Sequence, residues 1–309
     1  MARTIEITLP HKRTGQILQL LSGTTGVLNL RVEAGISLEP PGDVITAETT
    51  TRSLASVIAA LHHEGIGADG TSLTTREPAS VVSLRHNTEI TTDSGEATWE
   101  EMDYSINKQS RMSLNGLLVM AASGMIATIG LASGALHLVT GAKLIAPGFE
   151  VLAHIGLGAA NQSRAWMRGV VDTSKAYAAL ILGAIVMTLI LEAIGKSPLQ
   201  GNVTYLPATS LIAYWTTLHS TTILSSAAGS IAGAVLIAAN RGLLTAGVMV
   251  VMALVPSAAS IGIGLASGHL GIARGGFFLW ISDAALVVVL SCVVFGWKRL
   301  VSHRRKSLE

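Results

Sequence analysis

Only one cysteine, Cys292, occurs in 309 residues, and it sits inside an apolar run. A disulfide framework and a Cys-x-x-Cys metal or redox centre are therefore excluded. Charge is scarce as well: Asp, Glu, Lys and Arg make up 13% of the chain and leave a net charge of +2. The bases are scattered or confined to a tail, so there is no electrostatic footprint for nucleic acid. No Gly-x-Ser-x-Gly, His-Glu-x-x-His, P-loop or strand-borne Gly-x-Gly-x-x-Gly is present, which makes an enzyme the weaker class and gives no reason to expect a cofactor.

What remains is apolar and small. Hydrophobic residues are 50% of the chain, glycines number 32 and the mean hydropathy is +0.54. That balance points to a membrane protein with the lipid bilayer as its first partner. The charges are unevenly divided. Residues 1–112 hold 14 acids and 9 bases, whereas residues 113–296 hold 4 acids and 7 bases. A polar domain thus precedes a polytopic one, and a basic tail follows from Lys298 (domains 1–76, 77–112, 113–297 and 298–309). The start, Met1-Ala-Arg-Thr-Ile-Glu, has no apolar stretch of the kind a signal peptide needs, so the polar domain is expected in the cytoplasm.

The first 76 residues switch between two periodicities. Arg3–Pro10 alternates like a strand, Thr14–Leu21 has helical spacing, Val27–Leu38 and Asp43–Thr49 read as strands, Ser53–Gly65 as an amphipathic helix and Thr71–Arg76 as a last strand. This βαββαβ order predicts a small α+β ferredoxin-like domain with a regulatory or assembly role. His62 and His63 face different ways on one helix and read as surface. Residues 77–97 form a polar linker, after which Thr98-Trp99-Glu100-Glu101 fits a capping box opening a juxtamembrane amphipathic helix.

Six runs are long enough to cross a hydrocarbon core of about 30 Å. They are Leu114–Ser133, Ala135–Ala160, Ala176–Gly195, Thr221–Ala239, Leu243–Ala266 and Gly276–Trp297, with half-polar Val203–Leu218 as an interfacial or re-entrant stretch. With the N-terminus inside, Arg164, Arg168, Lys175, Arg241 and the tail all face the cytoplasm, so the expected location is the cytoplasmic (inner) membrane with both termini cytoplasmic.

Two features suggest an inverted 3+3 repeat. Ala121–Ala127 resembles Ser226–Ala232, and both second runs carry a central proline, Pro147 and Pro256. Three spans per half turn the second copy upside down, as in transporters whose sites lie where broken helices meet. Each proline would deprive a carbonyl of its helical donor, that of Lys143 in the first half and of Met252 in the second. Gly148 would allow close approach, and a half-helix starting there would favour an anionic group. Lys143, Glu150 and His154 are spaced to share one helical face, where Lys143 could hold an anion and the other two could pass a proton. Asp283 is the other deep acid. The structural alternatives are prolines that only kink packed helices, a buried Lys143–Glu150 ion pair, and a capping or packing role for Asp283. Ser225, Gly229 and Gly233 give the fourth run a close-packing face, suited to contacts within the domain or between subunits.

Gly141-Ala-Lys-Leu-Ile-Ala-Pro147, Met252-Ala-Leu-Val-Pro256 and Gly262-Ile-Gly-Leu-Ala266 resemble the prokaryotic membrane family called domain of unknown function 389. The resemblance runs from about Trp99 to Phe295, including the Glu-rich helix before the first span. It implies a multi-span protein, in some members with a soluble N-terminal extension, and no assigned activity. Where the family typically has Met after Gly-Ala and small or apolar residues after the proline, this chain has Lys143, Gly148 and Glu150. Those charges are then either a feature of a subgroup or dispensable to a mechanism that uses the broken backbone alone.

These readings together predict a transporter or channel for a small solute, anionic or zwitterionic solutes being favoured, in a homo-oligomer with an N-terminal regulatory or assembly domain. The alternative is a membrane-anchored sensor or scaffold without transport. The candidate substrate or ion site is Lys143, Pro147, Gly148, Glu150, His154, Met252, Pro256 and Asp283, with no metal.

Overall fold

A computed structural model describes residues 2–78, 86–93, 97–196, 208–239, 241 and 244–301. The linker residues 79–85 and 94–96, residues 203–207 of the half-polar stretch, and the tail from 302 lie outside the described residues. The chain divides into two units, Met1–Glu100 and Glu101–Glu309.

In the first unit the alternating segments become β1 (Ala2–Leu9), β2 (Val27–Leu38), β3 (Pro41–Thr50) and β4 (Ser72–Arg76), with α1 (His11–Ser22), α2 (Thr51–His63) and the short α3 (Asn87–Thr92). The sheet order is β2-β3-β1-β4, and every neighbouring pair is antiparallel. Alternation puts Ile5, Ile7 and Leu9 of β1 in one core with Ile17 and Leu21 of α1 and Leu54, Val57, Ile58 and Leu61 of α2. The Thr50 side chain accepts a hydrogen bond from the Ser53 amide and so caps α2.

Asp43 is a polar knot in this unit with a legible pH consequence. Its carboxylate accepts from the Thr14 hydroxyl at 2.7 Å and the Gly35 amide at 2.8 Å, and lies 2.7 Å from His11 Nδ1. The Thr14 bond first, then Gly35 and His11, hold the group below the ordinary carboxylate range despite its burial. A carboxyl depressed in the folded state adds stability above its unfolded pKa of about 3.9, and that stability is lost as pH falls through the folded value. Asp43→Asn should therefore raise hydrogen exchange in β1 and β3 at about pH 7, with the difference from wild type shrinking at about pH 3 once intrinsic rates are corrected. A difference independent of pH would show that the carboxylate's charge is immaterial.

The second unit is helical. It contains α4 (Trp99–Ser110) from Glu101 onward, then α5 (Leu114–Ser133), α6 (Leu136–Ile145), α7 (Gly148–Ala160), α8 (Ala165–Ala193), α9 (Ala208–Tyr214), α10 (Ser220–Ala238), α11 (Thr245–Val248), α12 (Leu254–Ala266) and α13 (Leu270–Val301). On α4 the residues Trp99, Met102 and Ile106 are buried, the side that the sequence spacing marks as apolar. Among the described residues α5, α8, α10 and α13 are each long and apolar enough to cross a membrane, and α6 with α7 passes the same test as a pair bent by 44°. The chain is therefore a membrane protein with four or five such spans by length and composition.

Six spans are not confirmed, and the fifth run is where the structure differs from the expectation. Leu243–Ala266 is not one helix: α11 has 4 residues, the chain then turns, and α12, with 13 residues, is too short to cross alone. The reason lies in Pro256, whose ring would collide with the Met252 carbonyl in any helix continued upstream. Pro256 instead occupies the first turn of α12, where no amide donor is required. Pro147 acts alike, standing directly before α7 as its N-cap residue. Both prolines start a helix rather than kink a continuous one.

Glycines set how closely the helices approach. A Cβ on Gly156 of α7 would lie 2.8 Å from Ser291 Cβ of α13, and one on Gly262 of α12 would lie 2.6 Å from Ala184 Cβ of α8. These two positions allow crossings at near-backbone distance, the packing mode of apolar bundles where hydrophobic driving force is absent. The small-residue face of α10 packs inside the unit: a Cβ on Gly229 would meet Val251 and Met252, and one on Gly233 would meet the Phe149 ring.

Candidate functional site

The two interruptions, residues 146–147 between α6 and α7 and residues 249–253 between α11 and α12, come together inside the helical unit. Lys143, in the last turn of α6, is buried and donates from Nζ to the Val250 carbonyl at 3.0 Å. The same ammonium lies 4.2 Å from the centroid of the Trp215 ring, a cation–π contact. Glu150, in the first turn of α7, accepts from the Thr245 hydroxyl of α11 at 2.6 Å. The absence of a side chain at Gly148 lets two others close on the first break: a Cβ there would lie 2.7 Å from the Tyr177 hydroxyl and 2.9 Å from the Met249 methyl.

Each break is also held by the long helix that follows it. Tyr177 of α8 donates its hydroxyl to the Gly148 carbonyl at 3.2 Å. Asp283 of α13, fully buried, accepts from the Ala253 amide at 2.8 Å. Tyr177 packs edge-on against Trp280 with ring centroids 5.0 Å apart. Broken backbone in an apolar layer must find such partners, since each unmet polar group there is costly.

Two carboxyl oxygens at this junction have no hydrogen-bond partner among the described residues, Glu150 Oε2 and Asp283 Oδ1. The Ser226 hydroxyl of α10 stands near Asp283 but outside hydrogen-bond geometry, and Lys143 is within electrostatic reach of the same carboxyl. A cavity of about 280 Å³ opens onto the first break. Gln109, Ala146, Pro147, Glu150, Thr245 and Ala246 line it.

The sequence-derived residues divide accordingly. Lys143, Gly148 and Glu150 meet at the junction, with Pro147 on the cavity wall and Asp283 holding the second break. Met252 is buried at the second break, where its amide donates to the Met249 carbonyl, and Pro256 is buried in α12 away from the cavity lining. His154 belongs elsewhere. Its Nδ1 shares a 2.9 Å hydrogen bond with the Ser110 hydroxyl at the end of α4, while Nε2 has no partner among the described residues. The common face expected for Lys143, Glu150 and His154 presumed one straight helix, and the 44° bend separates its first member from the other two. Lys143 and Glu150 form no ion pair with each other; Lys143 bonds instead to the second break and Glu150 to α11. Ser282, next to Asp283 in the chain, turns back to donate to the Phe278 carbonyl.

Sequence reasoning missed Tyr177, Thr245 and Trp215. A tyrosine or threonine in an apolar run reads as core, and the available signal is distance along the chain: Tyr177 precedes Asp283 by 106 residues, close to the offset between Gly156 and Gly262, also 106.

Residues 144–289 match the family described as Domain of unknown function (DUF389), a description that assigns no activity. The matched stretch begins at the residue after Lys143 and contains Pro147, Glu150 and Asp283 together with the second break. No curated protein and no solved structure matches the chain.

Proposed function

We propose that this chain, a membrane protein that carries a stretch matching DUF389, is a transporter or channel for a small solute. The observation that carries the reading is the meeting of two helix breaks within a bundle of apolar helices, beside oxygens of Glu150 and Asp283 that have no hydrogen-bond partner among the described residues. Intramembrane ionisable groups are functional by default, because burying charge in hydrocarbon without use is strongly disfavoured. A site with one ammonium and two carboxyls suits a zwitterion better than a simple anion.

Repeated contacts support an inverted pair of three-helix halves. Gly158 packs on the start of α8 at Trp166 and Gly264 on the start of α13 at Ala273, while Gly169 meets Ile155 and Gly276 meets Ile261. These pairs recur at offsets of 106 or 107 residues, as do Gly156 with Gly262 and Tyr177 with Asp283. The charge distribution, with Arg164, Arg168, Lys175 and Arg241 on one side, supports a cytoplasmic-membrane orientation with both termini inside. The β2-β3-β1-β4 antiparallel order of the first unit supports its ferredoxin-like reading, and its role is ligand sensing or assembly of a homo-oligomer.

One observation favours a scaffold instead: α12 is buried throughout from Leu254 to Gly264. Flux decides between the two. Purified protein in liposomes should accelerate uptake of at least one of glycine, taurine or succinate over protein-free vesicles, in a manner saturable by that solute. A panel in which no solute exceeds the blank would leave the scaffold.

A further inference from the structure

We propose that a second site, a groove between α4 and the first turns of α8, holds the phosphate group of an anionic phospholipid. The groove has a volume of about 1150 Å³, and four cations line it: Lys108 and Arg111 from α4, Arg168 and Lys175 from α8. Lys108 and Arg111 are three residues apart, and Arg168 and Lys175 are seven apart with Asp172 between them, so each helix turns its charges to one side. Among the described residues none of the four takes part in a salt bridge, which leaves their donors available for an anion.

Position selects a lipid over a soluble anion. α8 has 29 residues, roughly 44 Å of helix at 1.5 Å per residue, against a hydrocarbon core of about 30 Å. The excess lies at its charged N-terminal end, because the residues from Ala176 to Leu191 carry no charge. α5 begins at Leu114, immediately beyond the groove residues Arg111, Met112 and Ser113. The groove therefore sits at headgroup depth beside the mouths of two spanning helices. Met112, Met167 and Val171 share its lining, with Met167 and Val171 half exposed, and offer apolar surface for the glycerol and upper acyl chain beside the cations. Basic pockets between spanning helices bind anionic headgroups in this way. The inference is independent of transport, since none of these residues lies at the helix breaks.

The test is native mass spectrometry of the full chain in detergent, titrated with phosphatidylglycerol or phosphatidylcholine of identical acyl chains. Wild type should retain phosphatidylglycerol about fivefold more than phosphatidylcholine. The double variant Arg111→Gln/Arg168→Gln should fall to the phosphatidylcholine level, whereas Lys196→Gln at the other end of α8 should behave as wild type. Asp172→Asn should increase phosphatidylglycerol retention, a gain that a misfolded protein would not show. Equal retention of the two lipids, or unaltered retention in the double variant, would overturn the site. Inorganic phosphate that binds with the same dependence on Arg111 and Arg168 and displaces the lipid would overturn the lipid as occupant and assign the groove to a soluble phosphate.

Discussion

Lys143→Met is expected to lower solute flux through reconstituted protein by about tenfold or more, with the variant still monodisperse and helical. The ammonium makes a charge-assisted bond to the Val250 carbonyl and stacks on Trp215, so it joins α6, the second break and the residue just after α9. Such a bond is worth about 1.5–3 kcal/mol, and each 1.4 kcal/mol corresponds to about a factor of ten. Methionine keeps the length and apolar stem of the side chain while removing charge and donor, leaving the Val250 carbonyl unserved and Asp283 without its nearby cation. Trp215 provides an internal check: its fluorescence should change when the cation leaves the ring face. Unchanged flux together with changed fluorescence would confine Lys143 to packing.

Asp283→Leu should have the second large effect, this time on the integrity of the second break. Its carboxylate is the acceptor for the Ala253 amide at the start of α12, and leucine would strand that amide in an apolar setting. A buried donor left unpaired costs about 1–3 kcal/mol. Hydrogen exchange across residues 249–256 should therefore accelerate in Asp283→Leu, while the first break, held by Tyr177, keeps its protection. Asp283→Asn retains a carbonyl oxygen in the same place and should stay close to wild type in exchange. If Asn and Leu accelerate exchange equally, charge rather than hydrogen bonding holds the break.

Parts of this arrangement were legible in the amino-acid order, for physical reasons that differ from part to part. Period-two and period-3.6 patterns are strong in the first 76 residues because one face of each element is buried and the other is wet. In the helical unit, Ser113 and Gly134 delimit α5 cleanly: the serine side chain accepts from Gly116, and the glycine takes a left-handed conformation with φ of 65°. The fifth run failed because hydropathy registers transfer to lipid, and the residues of a break, Met249-Val-Val-Met-Ala253, are as apolar as those of a helix. Pro256 is the local mark of the break, whereas the bond that holds it, from the Ala253 amide to Asp283 30 residues away, has no local pattern to report it. The junction's ionisable residues were visible because charge is rare in such runs. Their partners, Thr245, Val250 and Trp215, were not, since a backbone carbonyl carries no sequence signature and threonine is unremarkable in a membrane helix.

Thiol accessibility at the junction bears most directly on the whole account. On a Cys292→Ser background, Ala146→Cys and Ala246→Cys each place a thiol on the cavity wall, one from the first break and one from α11, which leads into the second. Both should react in lipid vesicles with a charged, membrane-impermeant maleimide, and a transported solute should slow both reactions together. Absence of reaction at both positions, in protein that labels fully after denaturation, would mean that lipid or packed side chains seal the breaks and that nothing passes between them.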